Sequence, residues 1–193
     1  MSNFYGCSDS GYSLCKGGLY HHAVGTAIIS EKLANLNAKA KPGLAYTAGL
    51  LHDIGKVVLD QYIASAYPLF YRQLFEGKAN FSEAEKTILG IDHTEVGCDL
   101  ALRWSLPDSL TDTIRHHHEP ENAVRNFELT HIVYLADLLM SRFHTGLELD
   151  RLSTEALSAR LRTIGFSIEK FSHIVDLIPA GVFKPEPELA LTQ

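Results

Sequence analysis

The chain carries, at residues 49–56, the sequence GLLHDIGK. An apolar run that suits a buried helix, with Leu50 and Leu51 at its end, stops here at His52 and Asp53. An aspartate is almost never fully buried unless it is paired with a cation or bound to a metal ion. The function of this helical stretch therefore depends on which groups His52 and Asp53 face.

Apolar residues recur at helical spacing along most of the chain, and no period-2 strand pattern or repeat appears. The second helix is expected to end at Ile54-Gly55, and SEAE at residues 82–85 predicts a capping box. The pattern predicts an all-α bundle of about eight or nine helices over residues 18–184, with a flexible leader at 1–17 and a loose tail at 185–193. Helices are predicted at 18–37, 44–53, 56–66, 82–89, 92–104, 107–118 and 128–143, and after Ser153 and Ser167.

Composition narrows the class of protein. The formal charge is −6 and no Lys/Arg run occurs, so we expect no binding to nucleic acid or to membranes. The residues 1–13 lack the basic and apolar regions of a signal peptide. The three cysteines form no CxxC pair, which argues against a disulfide framework or a zinc knuckle. These features predict a cytoplasmic protein.

Polar residues interrupt the apolar faces of five predicted helices. Each of them falls on an inward stripe when the helix is drawn with 3.6 residues per turn. One lies in the first helix, two at the end of the second, and the others in three later helices. The set is His22, His52, Asp53, His93, His117, His118 and Asp137.

Taken singly, an inward histidine is more often a hydrogen-bonded core residue than a ligand, and an inward aspartate can pair with an arginine. Together, however, these residues offer imidazole nitrogens and carboxylate oxygens, the ligand set of Zn, Mn and Fe. A shared metal centre would satisfy all of them at once. Lys56, three residues after Asp53, is placed to reach an anion bound there. The other histidines lack ligand-like spacing and are interpreted as surface or structural residues: His21, His116, His131, His144 and His173.

The same residues resemble the HD superfamily of metal-dependent phosphohydrolases, and more narrowly its HDOD (HD-related output domain) branch. The phrases that carry the resemblance are GGLYHHAVGTA, AGLLHDIGKVVL, DHTEVGCDLALRWSLPDSL, IRHHHEP and VYLADLLM. The resemblance implies an all-α bundle in which His22, His52, Asp53 and Asp137 form the basic metal set. It further implies that Asp53 bridges two ions and that Lys56 contacts a phosphate. His93, His117 and His118 match the extra histidines of two-metal members.

Two departures from relatives of the superfamily bear on the substrate. The cyclic-dinucleotide phosphodiesterases continue the histidine pair into D-G-x-G-Y-P, whereas this chain continues His118-Glu119 into PENA. Some of them also carry a glutamate four residues before the first histidine, where this chain has Gly18, so a third metal is not expected.

Two functions are therefore compatible with the sequence. The first is hydrolysis of a phosphate ester or nucleotide-type phosphodiester in bacterial-type signalling. Its site would use Asp53 and Lys56 with two divalent ions, Fe or Mn ahead of Zn, Ni or Mg. The second is a regulatory module that binds metal or nucleotide without turnover and acts on a signalling-protein partner.

Overall fold

A computed structural model of the chain describes residues 12, 18–76, 80–144, 154–176 and 178–183. Within these residues the protein is built from helices and contains no β-strand, which confirms the all-α prediction. Two short 3-10 helices also occur: Pro120–Asn122 lies between the seventh and eighth α-helices, and Ala180–Phe183 follows the tenth. The α-helices are α1 (Gly18–Asn37), α2 (Pro42–Leu51), α3 (Ile54–Ser65), α4 (Tyr67–Glu76), α5 (Phe81–Leu89), α6 (His93–Arg103), α7 (Asp108–His116), α8 (Phe127–His144), α9 (Thr154–Thr163) and α10 (Ile168–Asp176).

The main core forms around α8, whose residues from Leu129 to Met140 are all buried. Helix α1 packs against both α2 and α8, and α9 and α10 close the core with Leu161 and Phe171. A helix that is apolar on nearly all sides is stable in water only where neighbours surround it. Asp137 lies within this stretch of α8, so its carboxylate is held inside the protein.

A second layer is formed by α3, α6 and α7, and its core contains Ile54, Ala101 and Ile114. Helices α3 and α6 approach so closely that a Cβ atom on Gly55 would overlap the carbonyl oxygen of His93. The absence of a side chain at Gly55 therefore brings the start of α6 against the start of α3.

The structure differs from the predicted helices at three places. Residues 54 and 55 begin α3 instead of ending α2, so the HD pair occupies a corner between two helices. The aromatic stretch around Pro68 forms the additional helix α4, which begins at Tyr67. The predicted capping box at residues 82–85 is wrong, because Asn80 caps α5 and exchanges hydrogen bonds with Glu83. The capping side chain needs non-helical backbone, and Ser82 is already helical.

The caps predicted at Asp92 and Ser167 are confirmed, since both side chains accept hydrogen bonds from the following helical turn. The predicted tail and, apart from residue 12, the predicted leader lie outside the described residues. None of the described helices combines the length and the apolar character that crossing a bilayer requires.

Candidate metal centre

The HD pair lies at the corner between α2 and α3, where the helical backbone is interrupted. His52 follows the last residue of α2, and Asp53 immediately precedes α3 with φ −99° and ψ 15°. The side chain of Asp53 makes no cap to α3. It therefore remains available to face the other helices, although the residue is only 5% exposed.

Every residue of the predicted ligand set reaches this corner. His22 comes from α1, His93 from the first position of α6, and Asp137 from the middle of α8. His117 and His118 follow the last residue of α7. Three overlapping groups bring one donor atom per residue within 4.8 Å: Asp53, His93, His117 and His118; His22, His52 and Asp53; and His52, His117 and Asp137.

The two carboxylate oxygens of Asp53 face two different sets of imidazoles. Its Oδ2 lies 3.4 Å from His52 Nε2 and 3.6 Å from His22 Nε2. Its Oδ1 lies 3.4 Å from His93 Nε2 and 3.5 Å from His117 Nε2. Asp53 thus stands between two donor groups.

Asp137 and His118 complete these groups from the other side. Asp137 Oδ1 lies 2.9 Å from His22 Nε2 and 3.7 Å from His52 Nε2. His118 Nε2 lies 2.9 Å from His93 Nε2.

Neighbouring hydrogen bonds determine which nitrogen of three imidazoles carries the proton. Nδ1 of His52 lies 2.7 Å from the Gly49 carbonyl oxygen, and Nδ1 of His117 lies 2.9 Å from that of Ile114. Nδ1 of His93 lies 2.6 Å from a carboxylate oxygen of Glu85. These oxygens only accept, so each Nδ1 carries a hydrogen, and each ring in its neutral form presents an Nε2 lone pair.

The lone pairs of His93 and His117 converge on a third acceptor, Asp53 Oδ1. Both Asp53 Oδ1 and His117 Nε2 are buried and lack a hydrogen-bond partner. Buried polar atoms without partners are rare and need an explanation such as a bound ion. A cation between these three acceptors would turn a repulsive arrangement into a favourable one.

The separations of the donor atoms also fit a metal site. Metal bonds of about 2.0–2.2 Å with angles of about 90–110° place adjacent ligand atoms roughly 2.9–3.5 Å apart. The pairs His22–His52, His93–His118 and His22–Asp137 lie at 3.3, 2.9 and 2.9 Å. The residues present therefore fit a metal centre.

The electrostatics of the centre favour positive charge at His52 and neutral rings at His93 and His118. Burial opposes the protonation of His52, but the charges and hydrogen bonds of Asp53 and Asp137 together outweigh it and raise the His52 pKa to about 10. Burial and the charge of Lys56 hold the pKa of His93 well below its ordinary value. Burial and His117 do the same to the pKa of His118.

Lys56, which the sequence places within reach of an anion at the centre, contacts Asp53 directly. Its Nζ donates to Asp53 Oδ2 at 2.7 Å and lies 5.1 Å from the centroid of the Phe81 ring. Burial works against the charged form, but the carboxylates of Asp53, Asp137 and Glu85 together outweigh it and raise the Lys56 pKa. A buried ammonium thus stands beside the candidate bridging carboxylate.

Sequence analysis missed the role of Glu85. This residue is fully buried on α5, and its Oε2 accepts from both the backbone N–H and the Nδ1–H of His93. Burial raises the pKa of Glu85 to about 7. The signal available in the sequence was a glutamate two residues beyond the true capping glutamate, on the inward face of α5.

Arg115 on α7 ties the second layer together around the centre. Its guanidinium donates to Thr94 Oγ1 and Glu95 Oε1, both at 3.1 Å. Because Thr94 and Glu95 lie in the first turn of α6, these bonds hold His93 and His117 in register. Sequence analysis did not single out this arginine.

The histidines interpreted as structural stay outside all three donor groups. His131 is buried, but its Nδ1 lies 2.9 Å from the Phe127 carbonyl oxygen. His116 lies 3.9 Å from Asp112, and His173 is exposed. The side chain of His144 lies outside the described part of the chain.

A cleft of about 180 Å³ opens beside His118, the one candidate ligand in its lining. The guanidinium of Arg160 lies 4.3 Å from the centroid of the Tyr134 ring, and it forms an ion pair with Glu121 at 2.6 Å. The lining is formed by α5, α8 and α9 together with His118: Asn80, Phe81, Ser82, Tyr134, Leu138 and Arg160.

Comparison with known families agrees with this geometry. The HDOD domain family matches residues 7–120, which is more than half of the chain and includes six of the seven candidate ligands. The chain belongs to the HDOD domain family. Asp137 lies beyond the matched residues, and the fold brings it to the other six.

Solved structures similar to this HDOD domain include an HDOD domain protein of unknown function from Geobacter sulfurreducens. It is 26% identical with a TM-score of 0.67, and the match covers 91% of this chain and 61% of that chain. A candidate signal transduction protein from Marinobacter aquaeolei is 25% identical with a TM-score of 0.67. That match covers 82% of this chain and 36% of the other.

Among curated proteins, Ribonuclease Y of Aquifex aeolicus is 31% identical over 149 residues, covering 77% of this chain and 20% of the relative. An uncharacterized protein of Treponema pallidum is 36% identical over 88 residues, covering 44% of this chain and 16% of the relative. The HDOD domain thus spans a fifth or less of these curated relatives.

Proposed function

We propose that this HDOD domain binds two divalent ions that share Asp53 and hydrolyses a small phosphate ester or nucleotide-type phosphodiester in signalling. His22, His52 and Asp137 would hold one ion, and His93, His117 and His118 the other. The proposal rests on one observation: the two carboxylate oxygens of Asp53 face different sets of imidazoles, Oδ2 facing one set and Oδ1 the other.

The number of donors bears on the identity of the ions. Each group has four protein donors when Asp53 is counted in both, which would fill a tetrahedral zinc site. An octahedral ion would keep two positions for water and substrate. Fe or Mn therefore suits a catalytic centre better than Zn.

A pair of divalent ions, when bound, supplies a hydroxide at neutral pH and stabilises the phosphoryl oxygens. The chain's own residues orient the metal ligands and set the charge of the site. The hydrogen bonds on Nδ1 keep the Nε2 atoms of His52, His93 and His117 directed inward. Lys56 contributes a fixed positive charge that attracts a phosphate oxygen as a point charge.

The cleft beside His118 suggests the size of the substrate. Its volume of about 180 Å³ is below the roughly 300–1,000 Å³ of pockets that enclose drug-sized ligands. Its walls include the rings of Phe81 and Tyr134 and the guanidinium of Arg160. We infer that it receives the organic part of a small ester or of a single nucleotide.

The experiment is a phosphatase and phosphodiesterase screen of anaerobically purified protein loaded with Mn²⁺ or Fe²⁺. The substrates are p-nitrophenyl phosphate, its bis-ester, mononucleotides and cyclic mononucleotides. Wild type is compared with Asp53→Asn, and Asp99→Asn is the matched control because Asp99 is exposed on α6. Activity in wild type and Asp99→Asn alone supports the hydrolase. Equal activity in all three folded proteins contradicts it.

The second candidate function is a regulatory module that holds metal or nucleotide without turnover and acts on a signalling partner. It is favoured by the similarity to the Marinobacter aquaeolei protein. Four-coordinate ions in both donor groups would leave no open position for catalysis. Stoichiometric metal in a protein without activity in the screen would favour this module.

A further inference from the structure

Tyr12 is held by contacts from three helices, α3, α4 and α5. Its backbone N–H donates to Asp60 Oδ1 at 3.1 Å, and its hydroxyl donates to Glu85 Oε1 at 2.8 Å. Its ring lies 5.6 Å from the Phe70 ring in an edge-to-face arrangement and 6.3 Å from the Phe81 ring. The main chain, the ring and the hydroxyl of Tyr12 thus each contact the helices around it.

The two carboxylates that hold Tyr12 are both buried, Asp60 at 2% and Glu85 at 0% exposure. A buried carboxylate is stable only where its oxygens accept hydrogen bonds or face a cation. The Tyr12 hydroxyl donates to Glu85 Oε1. His93 donates two hydrogen bonds to Oε2, from its backbone N–H at 2.7 Å and from Nδ1 at 2.6 Å.

These contacts form a continuous chain from Tyr12 through Glu85 to His93. The last torsion of a glutamate side chain is broad, so its own rotamer does not determine the plane of the carboxylate. The Tyr12 hydroxyl restrains that plane from the side opposite His93. Burial and the charge of Glu85 both raise the pKa of Tyr12, so the hydroxyl keeps the proton that it donates.

We propose that Tyr12 is a positioning residue for the second ion, acting through Glu85 to hold His93 in its metal-binding tautomer. The inference rests on the two-ion centre proposed above. With Glu85 restrained, His93 keeps its hydrogen on Nδ1 and presents the Nε2 lone pair. Once the restraint is loosened, the tautomer with Nε2–H gains population, because that hydrogen can bond Asp53 Oδ1, which lies 3.4 Å away.

The test is Tyr12→Phe, which keeps the ring and removes only the hydroxyl. Mn²⁺ is titrated into metal-free protein, and the two dissociation constants are measured by calorimetry. We expect one site to weaken about threefold to tenfold, the range that one net hydrogen bond supports. The other site should stay within twofold. Tyr62→Phe is the matched control, because Tyr62 is 53% exposed on α3.

Two further measurements separate positioning from a general loss of stability. Imidazole ¹⁵N spectra of the metal-free protein should show His93 protonated at Nδ1 in wild type and a larger Nε2–H population in Tyr12→Phe. Glu85→Gln should weaken the same site by about 10–100-fold. Adding Tyr12→Phe to Glu85→Gln should cost little more, because the hydroxyl acts through the carboxylate.

The outcomes are distinct. Failure of wild type to take up Mn²⁺ would overturn the two-ion centre and this inference with it. Equal constants and equal His93 spectra in wild type and Tyr12→Phe would overturn the role of Tyr12 alone. A lower melting temperature with unchanged constants and spectra would overturn it as well, because it assigns Tyr12 a structural role. Independent, multiplicative effects of the two substitutions would overturn the route through Glu85.

Discussion

His22 Nε2 lies 2.9 Å from Asp137 Oδ1, which joins the first helix of the bundle to the helix at the centre of its core. The main core thereby contributes an imidazole and a carboxylate to the same point. The second layer contributes three more imidazoles across Asp53. The candidate centre thus lies where the two layers meet, and each layer can be tested separately.

Single substitutions should remove the two ions unequally. We expect His52→Ala and His117→Ala each to lose about one equivalent of bound metal, and Asp53→Asn to lose most of both. Loss of a ligand should lower the metal affinity by at least the 10–100-fold that follows when a residue hydrogen-bonded to a ligand is mutated. Elemental analysis after gel filtration measures the content. His21→Ala and His116→Ala are the neighbouring controls, and equal losses in control and ligand variants would contradict the assignment.

Metal should stabilise the folded protein, because Asp53 Oδ1 and His117 Nε2 are buried without partners. At a free concentration of 100 times the dissociation constant, each site adds about 2.7 kcal/mol to the free energy of unfolding. Urea denaturation with Mn²⁺ and with a chelator measures the difference. The same increase in Asp53→Asn would show that the ions bind elsewhere.

Lys56→Ala should separate substrate binding from metal binding. A hydrogen bond to a charged group contributes about 1.5–3 kcal/mol, so KM for the phosphoester should rise roughly 10–100-fold. Metal content should stay near that of wild type, because Lys56 is a cation and ligates no metal. Lys86→Ala is the control, since the Lys86 side chain is 51% exposed and bonds Asp92. An unchanged KM would remove Lys56 from the site.

Gly55→Ala should push α3 and α6 apart, because its Cβ would overlap the His93 carbonyl oxygen. Overpacking of this kind typically costs about 1–3 kcal/mol of stability. The displacement of His93 should also weaken one metal site. Gly43→Ala is the control, because nothing lies within 4 Å of its added Cβ. Chemical denaturation compares the two, and equal stability would show that the helix crossing is not tightly packed.

Cyclic di-GMP should be a poor substrate. The chain lacks the G-Y-P phrase after His118, and the cleft beside it is about 180 Å³, which is too small to enclose two nucleosides. Product formation by chromatography, against the best substrate of the phosphoester screen, measures the preference. Rapid metal-dependent opening of this dinucleotide would contradict the prediction.

The sequence by itself determined the fold class and the candidate ligand set. Helical periodicity is local, so the face on which His22, His93 or Asp137 lies follows from spacing alone. An aspartate among apolar residues in a core helix needs a partner, and polar interruptions in five helices indicate a shared one. For the same reason the off-face positions of His21 and His116 could be predicted.

Only the tertiary structure decided how these residues are divided and what supports them. The assignment of the Asp53 oxygens to two imidazole sets depends on how α3 crosses α6, which Gly55 makes close. The contacts of Glu85 with His93 and with Tyr12 join residues whose spacing carries no periodic signal. Long-range contacts of this kind arise from the packing of whole helices, so no local pattern in the chain encodes them.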